Sequence, residues 1–149
     1  MKKILLLSDT HSYIDDKILK YVKQADEVWH AGDIGNLSVT DKIKALKPLK
    51  AVYGNIDDAK ARTEFPLHNR FKCEEMDIWI THIGGYPPKY NNVVRDKLIA
   101  NPPDIFICGH SHILKVIFDS VDALKPFGYL FGEADHEAIA SSREDRKTK

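Results

Sequence analysis

Cysteine is scarce in this chain: Cys73 and Cys108 are the two among 149 residues, each in or beside an apolar run and without a paired spacing. That excludes a disulfide framework and a zinc knuckle and leaves two reduced, buried thiols. Net charge is missing as well. Lys plus Arg and Asp plus Glu each number 22, so no general pull toward nucleic acid or an anionic membrane surface is expected, and any affinity for phosphate has to be local. No apolar run approaches the ~20 residues that a membrane span requires. Met1-Lys2-Lys3 leads straight into a strand rather than a cleavable apolar segment, and a cytoplasmic location is expected. No repeat or internal low-complexity linker divides the chain, whose length suits one domain over residues 1–131. Residues 132–149 read as a polar tail, helical or disordered.

What is present is an alternation of strand-length apolar runs with helical periods. Ile4 to Leu7 is a continuous apolar run, the mark of a strand covered on both faces. Ile14, Ile18, Leu19 and Val22 then recur at helical spacing with Asp15, Asp16, Lys17, Lys20 and Lys23 on the opposite face. Val28 to Trp29 begins a second strand, Val39 to Leu46 a second helix, and Ala51 to Tyr53 a third strand; repeated strand-helix-strand units imply parallel pairing. Leu67 to Cys73 and Met76 to Thr81 flank Glu74-Glu75 as an antiparallel hairpin. Val93 to Ile99 is again a helix, ended by Pro102-Pro103, and Asp104 to Cys108 and Ile113 to Phe118 are strands. The expected fold class is α/β, a two-sheet αββα sandwich.

Five of these strands end in the same way. Polar residues follow the apolar run at Asp9-Thr10-His11, Gly32-Asp33, Gly54-Asn55-Ile56-Asp57, His82 and Gly109-His110-Ser111-His112. Loops at the carboxyl ends of strands in an α/β sheet gather into one crevice. Any one of these residues has an ordinary explanation, as a helix cap, a turn residue or a satisfied histidine. Seven carboxylate, amide and imidazole groups converging without apolar partners do not, because their mutual desolvation costs several kcal/mol. A cation resolves that cost. Imidazole mixed with oxygen donors and no thiolate suits borderline ions, Mn²⁺ first and then Fe²⁺, Zn²⁺, Ni²⁺ or Co²⁺, better than Ca²⁺ or Mg²⁺ alone. Asp9, His11, Asp33, Asn55, His82, His110 and His112 are too many for one tetrahedral ion. Two metals sharing a carboxylate and holding a hydroxide for in-line attack on phosphorus is the economical arrangement, which predicts phosphoester hydrolysis.

Together these five motifs resemble the calcineurin-like metallophosphoesterase family, in its small single-domain bacterial and archaeal phosphodiesterase branch, over about residues 1 to 118. The resemblance implies that Asp9, His11, Asp33 and His112 hold a first metal and Asp33, Asn55, His82 and His110 a second, with Asp33 bridging. It implies catalytic roles for His82 and His110, and for Asp57 the orienting of a neighbouring group. A small phosphodiester or phosphomonoester is the expected substrate, with no membrane and no general nucleic-acid partner; an oligomer is compatible with the sequence. The alternatives are a phosphomonoesterase acting on nucleotides or proteins, and a metal-free interaction scaffold of the same fold, like a eukaryotic trafficking subunit with eroded ligands.

Two departures from the family pattern matter. Larger members place a His between the Asn and Asp of the third motif, where this chain has Ile56, so slow turnover and a preference for good leaving groups are expected. After about Ser120 the resemblance fades, and the C-terminal part of the second sheet is expected to be incomplete. Gly84-Gly85 would let backbone amides approach a phosphate. His30 reads as a partner of the site or as a structural residue, Tyr86 and Tyr90 as pocket wall or core cover, and His68 and His136 as surface.

Overall fold

A computed structural model describes residues 1–86, 89–112, 116–121 and 125–131. The strands are β1 (Ile4–Leu7), β2 (Glu27–His30), β3 (Leu49–Ala51), β4 (His68–Cys73), β5 (Met76–Thr81), β6 (Gly85–Tyr86), β7 (Lys89–Tyr90), β8 (Ile105–Cys108), β9 (Val116–Val121) and β10 (Lys125–Phe131). The helices are α1 (Asp16–Gln24), α2 (Ser38–Lys44), α3 (Ala59–Glu64) and α4 (Asn92–Ala100). The first sheet is β1-β2-β3, all parallel. The second runs β4-β5-β8-β10-β9, parallel in its centre and antiparallel at both edges. A small β6-β7 ribbon makes a third.

Period-two alternation sorts the side chains into three layers. Leu5, Leu7 and Val28 point from the first sheet onto Ile18 and Val22 of α1 and Val39 and Ile43 of α2. Trp29, Ile78, Ile80 and Ile107, with Ile4 and Leu6, fill the space between the two large sheets. Trp79, Phe106 and Cys108 face away from that space onto Val94 and Leu98 of α4. The result is the expected αββα sandwich. Helices start where a side chain can replace missing backbone partners: Asp15 accepts from Ile18 N–H, Asp58 from Ala61 N–H and Asn91 from Val93 N–H.

The expected incompleteness of the second sheet needs correction. β10 pairs parallel with β8 from Gly128↔Ile105 to Phe131↔Cys108, and β9 closes the edge against β10. Pairing through the backbone does not require the family resemblance to continue beyond Ser120. Positions 132–149, including His136, lie outside the described residues, as do 113–115 of the strand expected from Ile113. Among the described residues no helix is long and apolar enough to cross a membrane.

Candidate metal centre

The loops after β1 and β2 are bound together edge to edge. Asp9 N–H donates to the Gly32 carbonyl (2.9 Å), His11 N–H to the Asp33 carbonyl (3.1 Å) and Ser12 N–H to the Ile34 carbonyl (2.8 Å). The loops after β5 and β8 meet likewise, Gly109 N–H donating to the His82 carbonyl at 3.1 Å. Reversing the chain this tightly puts Asp9, His11, Asp33, His110 and His112 in the left-handed region, with φ between 47° and 70°. Such conformations cost about 1–3 kcal/mol each and persist where surrounding structure over-determines them, commonly at functional sites.

Each carboxylate has one oxygen tied down and one turned inward. Asp9 Oδ2 accepts from the Ser8 hydroxyl and from His110 N–H (3.1 Å), while Asp9 Oδ1 is buried and accepts no hydrogen bond. Around that oxygen stand His112 Nε2 at 3.2 Å, His82 Nε2 at 3.8 Å and His11 Nε2 at 3.9 Å. Asp33 Oδ1 accepts from Ile56 N–H (3.1 Å), while Oδ2 lies 3.2 Å from His82 Nε2 and 3.6 Å from His11 Nε2. The structure thus brings together Asp9, His11 and His112 in one group and Asp33, His82 and His110 in another, with the donor atoms of each group within 4.8 Å of one another. The rings pair in the same way, His11 edge-on to His112 and His82 edge-on to His110. Asn55 joins the second group, its Oδ1 3.1 Å from His82 Nε2.

The protonation of His82 tests whether a cation fits. Its Nδ1 lies 2.7 Å from the Ala31 carbonyl, which only accepts, so Nδ1 carries the proton. With Nδ1 protonated, the Nε2 lone pair faces the Asp33 carboxylate and the Asn55 amide, an arrangement that a divalent cation between them fits. The buried Asp9 Oδ1, which accepts no hydrogen bond, fits one as well. A mixed imidazole, carboxylate and amide donor set fits a divalent ion of the borderline class.

Behind the donors lies a support layer. The buried Asp57 carboxylate does not face the donors; it accepts from Gly54 N–H (2.7 Å), Gly35 N–H (2.9 Å) and Ile34 N–H (3.2 Å), joining the β2 and β3 loops. His30 is also buried. Gly32 N–H donates to its Nδ1 (3.1 Å), so Nε2–H donates to Thr10 Oγ1 (3.0 Å), whose hydroxyl donates to the Ile34 carbonyl (3.0 Å). Loss of solvation holds the His30 pKa down at about 3. It is therefore a neutral tie between loops, not a substrate contact. Two glycines are required by close approach: a Cβ at Gly54 would lie 2.1 Å from Asp33 Oδ1, and one at Gly109 2.0 Å from Ser8 Oγ.

Gly84 and Gly85, expected beside a phosphate, are placed otherwise. A Cβ at Gly84 would lie 2.2 Å from Cys108 Sγ, and its carbonyl accepts from Asn91 N–H. Gly85, at φ 69°, pairs β6 with β7. Packing and turn geometry account for both. Tyr90 packs against the α4 core and Tyr86 is exposed; neither cysteine forms a disulfide, Cys108 being buried and Cys73, expected buried, only half-buried. His68, expected at the surface, is half-buried on β4 with Nδ1 2.8 Å from Thr81 Oγ1, and burial lowers its pKa. It lines a cavity of about 300 Å³ that opens beside Asn55 and His82. Arg62 on α3 lines the same cavity. The sequence pattern did not reveal it, although Asp58 ahead of Ala59-Lys60-Ala61 is the N-cap signal of the helix that carries it.

The family model for the calcineurin-like phosphoesterase superfamily domain matches residues 1–131. A probable metallophosphoesterase of Methanothermobacter thermautotrophicus is 26% identical over 112 residues, 72% of this chain and 64% of that protein, so the chain spans less than two thirds of this relative. An archaeal phosphodiesterase structure superposes with a TM-score of 0.59 at 23% identity, covering 88% of this chain and 84% of the other. Vps29 of Entamoeba histolytica complexed with zinc gives 0.67 at 18% identity, covering 88% and 74%. At these identities the structural likenesses establish the fold alone.

Proposed function

The chain belongs to the calcineurin-like phosphoesterase superfamily, and from that premise we propose that it is a metal-dependent phosphodiesterase with a dinuclear centre. Asp9, His11, Asp33 and His112 would hold one divalent ion, and Asp33, Asn55, His82 and His110 a second. When bound, such ions polarise phosphoryl oxygens and make a hydroxide nucleophile available at neutral pH. The observation that carries this reading is the set of facing acceptors at His82 Nε2, Asp33 Oδ2 and Asn55 Oδ1.

The protein's own groups prepare the site. Ser8 and the His110 amide fix the Asp9 carboxylate, Ile56 N–H fixes Asp33, and the Ala31 carbonyl fixes the His82 tautomer and makes the ring a stronger donor. The imidazoles of His11, His110 and His112 stand exposed at the rim, so the ions they would hold are open to an incoming phosphoryl group, whose developing charge those ions would neutralise. Ile56 is exposed and apolar at the position where the family pattern has a proton donor. Departure of the leaving oxygen then depends on that oxygen's own acidity. The cavity beside Asn55 and His82 leaves room for a second ester group, which favours a diester over a monoester.

Mn²⁺-stimulated hydrolysis of bis(p-nitrophenyl) phosphate, compared with p-nitrophenyl phosphate, tests the reading. The diester is expected to be the better substrate, and Asp33→Ala to lower kcat/KM at least ~10²-fold, about 2.7 kcal/mol of transition-state stabilisation. Higher kcat/KM on the monoester would make the protein a phosphomonoesterase. Absence of metal-stimulated turnover on both would favour the scaffold.

A further inference from the structure

The cavity next to the donor groups has a definite chemistry of its own. Leu67, Ile83 and Val93 are exposed apolar residues, and all three line it, so the wall is oily where it meets solvent. Against them stands one cation. The Arg62 guanidinium stacks over the Tyr53 ring at 4.9 Å, donates through Nε to the Asp57 carbonyl (2.8 Å) and through Nη2 to the Asn55 carbonyl (3.3 Å). Those contacts pin it beside Asn55, whose amide oxygen faces His82. They also use only two of its five N–H donors, and among the described residues no carboxylate neutralises it. Asn91, on the same wall, spends its Oδ1 on capping α4 and keeps its NH₂ as a donor. A volume of about 300 Å³ sits at the lower end of ligand-sized pockets, enough for a single ring and too little for a polymer segment.

We propose that this cavity seats one ester arm of the substrate, and that the arm is an aromatic ring bearing an anionic group held by Arg62. Apolar walls select the ring, and an unneutralised planar guanidinium selects a carboxylate or phosphate on it. The proposal rests on the phosphodiesterase reading and supplies its substrate class.

Three methylphosphonate monoesters serve as probes, carrying a methyl, a phenyl or a 4-carboxyphenyl arm. Each is assayed as an inhibitor of Mn²⁺-dependent bis(p-nitrophenyl) phosphate hydrolysis by the whole chain. The phenyl probe is expected to bind more tightly than the methyl probe, and the 4-carboxyphenyl probe at least tenfold more tightly than the phenyl. In Arg62→Gln the carboxyphenyl-to-phenyl ratio should collapse to within twofold, and Arg62→Lys should restore part of it. Because the ratio is internal to each variant, general damage to the fold cancels. Equal inhibition by all three probes would overturn the proposal while leaving the phosphodiesterase reading intact. If no metal-dependent hydrolysis is found, that reading fails instead, and methyl NMR shifts of Leu67, Ile83 and Val93 on titration with the 4-carboxyphenyl probe decide the pocket. Saturating shifts lost in Arg62→Gln support it; no shifts overturn it.

Discussion

Asp57 shows how one carboxylate acts on a site it does not enter. Three backbone N–H groups from two loops converge on it, and bonds to a charged acceptor contribute about 1.5–3 kcal/mol each when lost. An amide at this position offers one oxygen and turns an N–H₂ toward backbone donors. Asp57→Asn should therefore cost ~2–4 kcal/mol in urea unfolding and weaken metal binding, since the Gly54-Asn55 segment would be freed. Gly54→Ala acts more directly, by driving a methyl into Asp33 Oδ1; its metal affinity, by titration calorimetry, should fall about 10- to 100-fold, as for other disturbed ligand supports. His30 sets a pH dependence. In the unfolded chain it takes up a proton below about pH 6.5, whereas the native ring stays neutral until about pH 3. Stability is thus full above the unfolded value and falls with decreasing pH by about 1.4 kcal/mol per unit from this group. Urea midpoints at pH 7 and pH 5 should drop more for the wild type than for His30→Gln; equal drops would remove His30 from the account. At this scale the donors were legible in the sequence because each sits at a fixed offset from a strand end. His30 was legible as a site partner or a structural residue, and the structure makes it the latter; Ser8 and Arg62 were not, because their roles depend on which loops lie side by side and on a six-residue helix too short to show a period.

At the scale of elements, every strand with a continuous or alternating apolar run was readable: β1, β2, β4, β5 and β8 lie within a residue or two of where the pattern puts them. β3 was expected two residues later, since Leu49-Lys50 looks less strand-like than Val52-Tyr53 until its pairing with Val28 and Trp29 is known. β10 was missed for a related reason. Pro126 and Gly128 argue against a strand locally, and the backbone partners that outweigh them, on β8 and β9, are distant in sequence or follow a turn. The β4-β5 hairpin carries a visible strain: its two-residue turn is Glu74-Glu75, at φ 47° and 69°, where glycine or asparagine is the usual occupant. Glu75→Gly removes a left-handed side chain and should raise stability by ~1 kcal/mol in thermal or urea unfolding. Lower stability would show that the side chain contributes more than its backbone costs.

For the whole molecule, the sandwich explains why the site is where it is. The inter-sheet layer of Trp29, Ile78, Ile80 and Ile107 holds the two large sheets face to face, so the ends of β1, β2 and β3 meet the ends of β5 and β8 over one crevice. The first sheet supplies the carboxylates and the amide, with His11; the second supplies His82, His110 and His112. Neither sheet alone holds a complete donor set, so metal binding should couple the two halves: saturating Mn²⁺ should raise the unfolding midpoint, and a chelator should return it to the metal-free value. The most direct test of the dinuclear centre is elemental analysis of the Mn²⁺-loaded protein after exhaustive dialysis, wild type beside Asp33→Ala. Two ions per chain in the wild type, with fewer than two and a matching loss of diester hydrolysis in the variant, is the predicted result. One ion or none in the wild type, or two in Asp33→Ala with hydrolysis retained, would contradict a shared carboxylate at the centre of this fold.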